Sequence, residues 1–561
     1  MKVGSKIRAH WSLFAAIAIL WGALAGFLRI CIVRDGGRFV YAIDDPYITM
    51  AVAKNFVGHG VWGVTPFMFS WCTSTPLWTW LIILAYAIFG VGSMTPLVLD
   101  FVCASATCLV VYLLLRRRGL DPAELLVALM LVIFATSLPA LAFTGEEHIL
   151  QALLTIVFID FAAADLAAPT DSHRAALIAL APLVTTVRYE GMFLLAPVVG
   201  LFILRRRIIT AAAIAIAGAL PVIALGLWSI SKGSGFFPNS IMLKANLPGS
   251  GSFAAVVRFL AHLCWNLASA PWLVLLAILA IGCIHLILKA GRPLWDRDLL
   301  AMAIFLAVAA AQASFALTGG VAFFRYDAYL VATGIFLLAS CWREPWMREF
   351  VAGVAATPRR RTLRIAVVAI AAIALIPRAI AANALIPRAS HNIYEQQYQM
   401  ARFVDRFYQD QGVALNDIGA VCFLSDIRLL DVVGLATQRV ADEREAGRFD
   451  NAMIAEITAT SGTEIAIVYD EYLFGPHSSA RPANWIKAGE WRIADAKVVQ
   501  DTVSFYGIGE EQAQILRANL AAFTPALPAS VDAVIIGGSA NMAGAPTNAA
   551  GPETPAGGQG K

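Results

Sequence analysis

The 561-residue sequence predicts a polytopic α-helical membrane protein that carries a separate α/β domain toward its C-terminal end. Three observations predict it. Hydrophobic residues make up 59% of the chain and charged ones only 14%, a balance that excludes a soluble globule. Apolar runs of membrane-spanning length recur along the first two thirds. From Ala389 onward the composition returns to that of an ordinary soluble domain. The formal net charge of +4 decides little, whereas its distribution decides more, because Lys and Arg mark the loops kept in the cytosol.

The elements follow in order. Lys2, Lys6 and Arg8 precede Trp11 to Val33, an apolar stretch of about 20 residues with no small-residue cleavage site, which reads as an uncleaved first span with the N-terminus inside. A first outer loop at about 34–95 comes next. Further apolar runs lie near 96–115, 122–143, 148–167, 174–187, 190–204, 208–231, 271–289, 298–317, 325–342 and 363–386. Leu77 to Gly90 is ambiguous. If it crossed, Arg116-Arg117-Arg118, Arg205-Arg206-Arg207, Lys289 and Arg292 would fall outside, against the positive-inside bias. If the segment with Trp78, Trp80 and Tyr86 lies in the outer interface, those clusters turn cytosolic together with Arg174, Arg343 and Arg359-Arg360-Arg361. The expectation is therefore about eleven spans within 1–388, with everything after Pro387 outside.

Residues 389–535 form the expected extracytoplasmic α/β domain. Tyr394 to Gln411 has a helical pattern, Ala414 to Leu424 reads as a strand, Phe449 to Thr460 as a helix, Glu464 to Tyr469 as a buried strand and Glu510 to Phe523 as a helix. The Pro-, Gly- and Ala-rich stretch 536–561 reads as a disordered tail.

The eight cysteines, Cys31, Cys72, Cys103, Cys108, Cys264, Cys283, Cys341 and Cys422, fall mostly inside apolar runs without CxxC spacing, which argues against a zinc site. Cys31 and Cys72 both fall near the outer face, where packing is the better reading than pairing. No Gly-rich phosphate loop stands between a strand and a helix, so direct nucleotide use is not expected, and nothing points to nucleic acid.

The chemistry gathers on one face. The topology places Asp44-Asp45, Gly145-Glu146-Glu147-His148, Arg188-Tyr189-Glu190, Pro238-Asn239 with Lys244, and Arg325-Tyr326-Asp327 at the outer surface. Desolvating a carboxylate near hydrocarbon costs several kcal/mol, and a like charge beside it adds to that cost. An adjacent pair such as Asp44-Asp45 at the mouth of a span therefore points to cation binding or proton abstraction.

The stretch Asp44-Asp45-Pro46-Tyr47-Ile48 continues through Ala53-Lys54-Asn55, Gly58-His59-Gly60 and Ser74-Thr75-Pro76-Leu77-Trp78. It resembles the first outer loop of integral-membrane GT-C glycosyltransferases, nearest in pattern to the mycobacterial arabinofuranosyltransferase AftB family. Gly145 with Glu147, Arg188 with Glu190-Gly191, Pro238-Asn239 with Lys244, and Asp431 with Gly434-Leu435 resemble further signatures in the same order. The loop stretch Phe69-Ser70-Trp71-Cys72-Thr73 and the surroundings of Glu147 depart from that pattern.

The resemblance implies a GT-C fold in a bacterial inner (plasma) membrane, with an external domain that resembles a carbohydrate-binding module. It implies an inverting transfer of a sugar, arabinofuranose first among candidates, from a polyprenyl-phosphate donor to a glycan, glycolipid or protein acceptor on the outer face. Displacing polyprenyl phosphate calls for a base on the acceptor hydroxyl and cations on the leaving phosphate. Asp44 is the expected base, Asp45 its support and Glu147 a second acid. Lys244, Arg325 and Arg188 are the expected phosphate ligands. Trp62, Trp71, Trp78, His59 and Asn239 are the candidate sugar- or acceptor-binding residues. No cofactor is required on this reading, with Mg²⁺ or Mn²⁺ on Asp44 and Asp45 as an option. The competing classes are a lipid-linked glycan flippase or exporter, against which the scarcity of charges inside the spans argues, and an oligosaccharide polymerase or ligase.

Overall fold

The structure, a computed structural model, describes residues 10–243, 253–355, 358–475 and 480–537. Among them eight helices are long and apolar enough to cross a membrane: Trp11–Arg34, Thr95–Arg117, Pro122–Thr144, His148–Ala167, Ile208–Ser231, Pro271–Lys289, Arg297–Phe315 and Ala322–Ser340. Their 19 to 24 residues correspond to about 29 to 36 Å of helix, enough for a hydrocarbon core of about 30 Å. Large apolar side chains such as Phe14, Val98, Ile209 and Ile216 stand exposed on their outer surfaces, as a lipid solvent requires. The protein is an integral membrane protein.

The other three expected runs are helical as well. Those at 174–187 and 190–204 form Asp171–Val187 and Gly191–Leu204, of 17 and 14 residues, and the one at 363–386 lies inside Pro358–Glu395, a 38-residue helix. Leu77 to Gly90 falls in Pro76–Phe89, whose 14 residues give about 21 Å, as do those of Gly191–Leu204; both are shorter than the eight candidate spans, where eleven were expected. One amphipathic helix, Phe253–Ser269, escapes the sequence reading. Its Asn266 amide donates to the carbonyls of Ala313 (2.8 Å) and Ala316 (2.7 Å) at the end of Arg297–Phe315.

Beyond the helices a six-stranded mixed sheet forms from β1 (Gly412–Leu415), β2 (Arg428–Asp431), β3 (Thr463–Val468), β4 (Trp485–Ile493), β5 (Thr502–Ile508) and β6 (Val531–Ile535). The strand order is β2-β1-β3-β5-β4-β6, with β1 parallel to both neighbours and the remaining pairs antiparallel. The stretch expected as one strand at Ala414 to Leu424 divides instead. β1 stops at Leu415, Asn416-Asp417 turn the chain, and Gly419–Leu424 is a short helix. The helices expected in this region form as Gln397–Phe407, Asn451–Thr460 and Glu510–Phe523. Of the tail expected to be disordered, Ile536 is ordered, its N–H donating to the Ala488 carbonyl (2.8 Å), and 538–561 lie outside the described residues.

The sheet domain is joined to the helices by more than its covalent link. At the exit of the first span the buried Asp35 accepts from Ser390 Oγ (2.7 Å) and pairs with His391 Nδ1 (2.9 Å) at the far end of Pro358–Glu395. The eight cysteines are all free thiols, and Cys31 and Cys72 are buried, as packing rather than pairing requires.

Candidate active site

The loop after the first candidate span is stitched to the C-terminal end of the third, Pro122–Thr144. Ala42 N–H donates to the Phe143 carbonyl (2.9 Å), and the buried Tyr41 hydroxyl donates to Ser93 O (2.9 Å) while accepting from Leu97 N–H (3.0 Å). Gly145 has φ +64°, and a Cβ there would sit 2.6 Å from the Tyr41 ring, so only glycine lets the two segments close. This closure brings Asp45, in the first turn of the Asp45–His59 helix, beside Glu146 and Glu147 at the start of His148–Ala167.

Two arginines organise the acids. Arg325 ion-pairs with Asp45 through Nη2 and lies 3.2 Å from Glu146 through Nε. Arg188 pairs with Glu147 at 2.5 Å and grips Glu190 with two nitrogens, at 2.8 and 3.2 Å. The Tyr326 ring lies within cation–π reach of both guanidiniums, 4.9 Å from Arg188 and 5.2 Å from Arg325. Burial would push the Glu146 carboxyl up, but Arg325, His148 and Arg188 outweigh it and hold it at about 2. Glu190 is held low in the same way, with Arg188 overcoming burial. Glu146 and Glu190 are therefore ionised at neutral pH.

Backbone strain supports Arg325. The turn Ala322–Asp327 holds Phe323 and Phe324 at φ +62° and +53°, a conformation that non-glycine residues avoid. Asp327, the residue after Tyr326, is fully buried and locks the turn. It pairs with Arg378 at 3.1 Å and accepts from Trp272 Nε1 (3.0 Å) and Gly319 N–H (3.1 Å).

The ion-paired groups border a cavity of about 410 Å³ lined by Asp45, Glu146, Glu147, Arg188, Glu190 and Tyr326 on its polar side. Ile48, Met192, Phe193, Phe237, Phe315 and Leu435 line its apolar side. Such a space suits an amphiphile with an anionic centre and an apolar chain. Guanidiniums take a phosphate bidentately, and an ionised carboxylate can accept a hydroxyl proton.

Several expected residues stand elsewhere. Asp44 does not line the cavity. Its Oδ2 and Oδ1 accept the backbone N–H groups of Gly419 (2.7 Å) and Ala420 (2.8 Å), at the start of the short helix Gly419–Leu424. Burial and the facing Asp417 push Asp44 up to about 8, against those two hydrogen bonds. Trp62, Trp71 and Trp78 are nearly fully buried and serve packing rather than sugar stacking. Trp62 and Trp71 join Phe69 and Trp228 in one aromatic cluster, and Trp78 donates to the Gly145 carbonyl (3.2 Å). His59 is exposed in the last turn of its helix and does not line the cavity. Asn239 is buried behind the wall, where its N–H donates to Trp71 O (3.0 Å), while the following Ser240, Ile241 and Met242 line the space. Lys244 lies outside the described residues. A metal does not fit: Arg325 engages Asp45 and Glu146, backbone amides take up Asp44, and among the described residues no three ligating side chains converge.

Sequence reasoning gathers Glu146, Glu190 and Tyr326 on one face and includes Leu435 in the resemblance, but gives none of the four a role in the site. The double acid Glu146-Glu147 at the mouth of a span carries the same signal as Asp44-Asp45, and Arg188-x-Glu190 is a visible bidentate spacing. Leu435 by itself carries no chemical signal.

Residues 391–506 match a family model described as a domain of unknown function, DUF8728. No curated protein matches the chain. Among solved structures, the chain is similar to the crystal structure of ArnT from Cupriavidus metallidurans bound to undecaprenyl phosphate, at 12% identity and a TM-score of 0.53 over 89% of this chain and 98% of that one. The apo crystal structure of the same ArnT matches at 13% identity and a TM-score of 0.50, over 89% and 99%. Likeness at this level of identity, sustained over nearly the whole length of both chains, is a likeness of architecture: the chain has an ArnT-like GT-C fold.

Proposed function

We propose that the protein is an inverting membrane glycosyltransferase that moves a sugar from a polyprenyl-phosphate donor to an acceptor hydroxyl on the outer face of the bacterial inner membrane. The observation that carries the reading is the cavity itself, in which Arg188 and the carboxylates of Asp45, Glu146, Glu147 and Glu190 face an apolar wall, with Arg325 just outside the lining against Asp45 and Glu146. The ArnT of similar fold binds undecaprenyl phosphate, a lipid of the same class. The prenyl chain lies along the apolar side, and the donor phosphate meets Arg325 and Arg188, with Lys244 as a further candidate ligand.

Asp45 takes the role of base, since it faces the cavity and Asp44 does not. Arg325 cannot serve Asp45 and a phosphate equally well, so donor binding draws the guanidinium away and frees the carboxylate. The acceptor oxygen then bonds to the anomeric carbon as the bond from that carbon to the phosphate oxygen breaks. The acceptor proton passes to Asp45, and polyprenyl phosphate leaves held by the arginines. A single displacement inverts the anomeric centre. Arabinofuranose is the first sugar to test, on the family resemblance, and the acceptor is a cell-envelope glycan, glycolipid or protein.

The test is incubation of the purified full-length protein in lipid nanodiscs with synthetic polyprenyl-phosphate sugars and an acceptor panel, with products resolved by mass spectrometry. Transfer that is lost in Arg325→Ala supports the reading. No transfer from any polyprenyl-phosphate donor, or release of lipid-linked sugar across the bilayer without transfer, overturns it.

A further inference from the structure

The matched domain of unknown function reaches into the site along one short segment. At its start, Asp44 of the first outer loop binds the N–H groups of Gly419 and Ala420. At the other end of that helix, Lys54 donates to Phe423 O (3.0 Å) and Asp426 Oδ1 (3.0 Å) and approaches Cys422 O (3.4 Å). An acid at the amide end and a base at the carbonyl end complement the helix dipole, so the Gly419–Leu424 helix is clamped by two side chains nearly three turns apart, Asp44 at the N-cap of the Asp45–His59 helix and Lys54 within it. The approach is close: a Cβ on Gly419 would sit 2.2 Å from the Asp44 carbonyl oxygen and 2.7 Å from its Oδ2.

Twelve residues later a second device appears. The Asp431 carboxylate accepts from Val433 (2.7 Å), Gly434 (3.2 Å) and Ala436 (2.7 Å), while Thr437 Oγ1 takes the N–H of Asp431 (2.9 Å). Gly434 stands at φ +94° against Ala441, where no side chain fits. The loop is thus fixed by its own carboxylate, and Leu435, the one residue of it that lines the cavity, is presented as part of the wall.

We propose that the segment Asn416 to Thr437 is a wall of the active site: Asp44 is a positioning residue that fixes the neighbouring Asp45 through the Gly419–Leu424 helix, and Leu435 is a specificity contact for the apolar part of the donor. The proposal rests on the glycosyl-transfer reading above. It gives this domain a role in the chemical step as well as any role in holding glycan.

The test uses the full-length protein in nanodiscs. Gly419→Ala, which opens the clamp without removing a charge, lowers kcat about 10- to 100-fold with the donor KM within about threefold, as expected for a misplaced base. Lys54→Met acts in the same direction and Lys54→Arg restores activity, which covers the case in which Gly419→Ala fails to fold. Leu435→Ala raises the KM for long-chain donors more than for short-chain ones. Hydrogen exchange of the 416–424 peptide, which needs no turnover, accelerates in Asp44→Asn. Wild-type kcat in folded Gly419→Ala and Lys54→Met overturns the positioning role, as does unchanged exchange in Asp44→Asn. An unaltered chain-length preference in Leu435→Ala overturns the specificity role. If no donor is turned over by the wild type, the glycosyl-transfer reading fails, and the exchange measurement still decides whether Asp44 holds the helix.

Discussion

Asp44 and Asp45 are adjacent in sequence and opposite in surroundings. One is tied to backbone amides of the sheet domain, and the other faces the cavity against an arginine. Asp45→Asn is expected to reduce turnover by about 10² to 10⁴ with donor binding retained, measured by initial rates and by retention of polyprenyl phosphate in native mass spectrometry. Asp44→Asn is expected to cost less, because an amide oxygen can still take one of the two N–H groups. The clamp also carries a pH dependence. Asp44 sits up at about 8 beneath burial and the charge of Asp417, with Asp45, Tyr47, Tyr469 and Cys422 around it. Only the ionised form accepts both amides, so kcat should climb with a midpoint near pH 8, and Asp417→Asn should move that midpoint down. Stability runs the other way. A carboxyl that holds its proton more tightly folded than unfolded favours the folded state most in acid, and Asp44's contribution fades as the pH rises from about 4 through about 8. The acid pair was legible in the sequence as a cluster that needs a reason. Which of the two meets the substrate was not, since that depends on a contact with Gly419, 375 residues away.

Among the elements, the short turn Ala322–Asp327 concentrates the most constraint. It carries Arg325 toward the site on two left-handed phenylalanines, and Arg378 of the last long helix holds it through Asp327, stacked near Trp272 and Phe324 at 5.3 Å. Both partners are fully buried, so Arg378→Ala leaves a carboxylate without its counterion and is expected to cost roughly 3 to 5 kcal/mol, read as a fall in thermal denaturation temperature. Asp327→Asn combined with Arg378→Met should recover much of that loss. The apolar helices were legible because hydrocarbon demands an uninterrupted run. The amphipathic Phe253–Ser269 was not, because Arg258, His262 and Asn266, each four residues from the next, interrupt its apolar run. The strand read at Ala414 to Leu424 fails at Asn416-Asp417, a turn signal outweighed by the apolar residues on either side. Strands β4 and β5 were missed because both bury most of both faces, which erases the alternation that marks a half-exposed strand.

For the whole molecule, the arginine clusters carry the expected orientation. Reporter fusions after Arg118 and after Arg207 are expected to read as cytosolic and one after Ala389 as external; a cytosolic signal from the last would put the cavity on the wrong side for an external acceptor. The GT-C architecture was legible from an ordered series of short motifs spread along the chain, none of which is decisive alone. The closure of the sheet domain onto the first loop was not legible, because contacts between distant segments leave no periodic trace in either one. That closure has a consequence in time. The ribosome delivers Asp44 long before it delivers Gly419, and at about 5 to 20 residues per second the interval is roughly 20 to 75 s. Throughout it the membrane-embedded half exists with its acid loop unmoored. On the proposed function, turnover is expected only once the last third of the chain has docked on that loop, and a chain arrested before Gly419 should integrate into the bilayer yet fail to turn over.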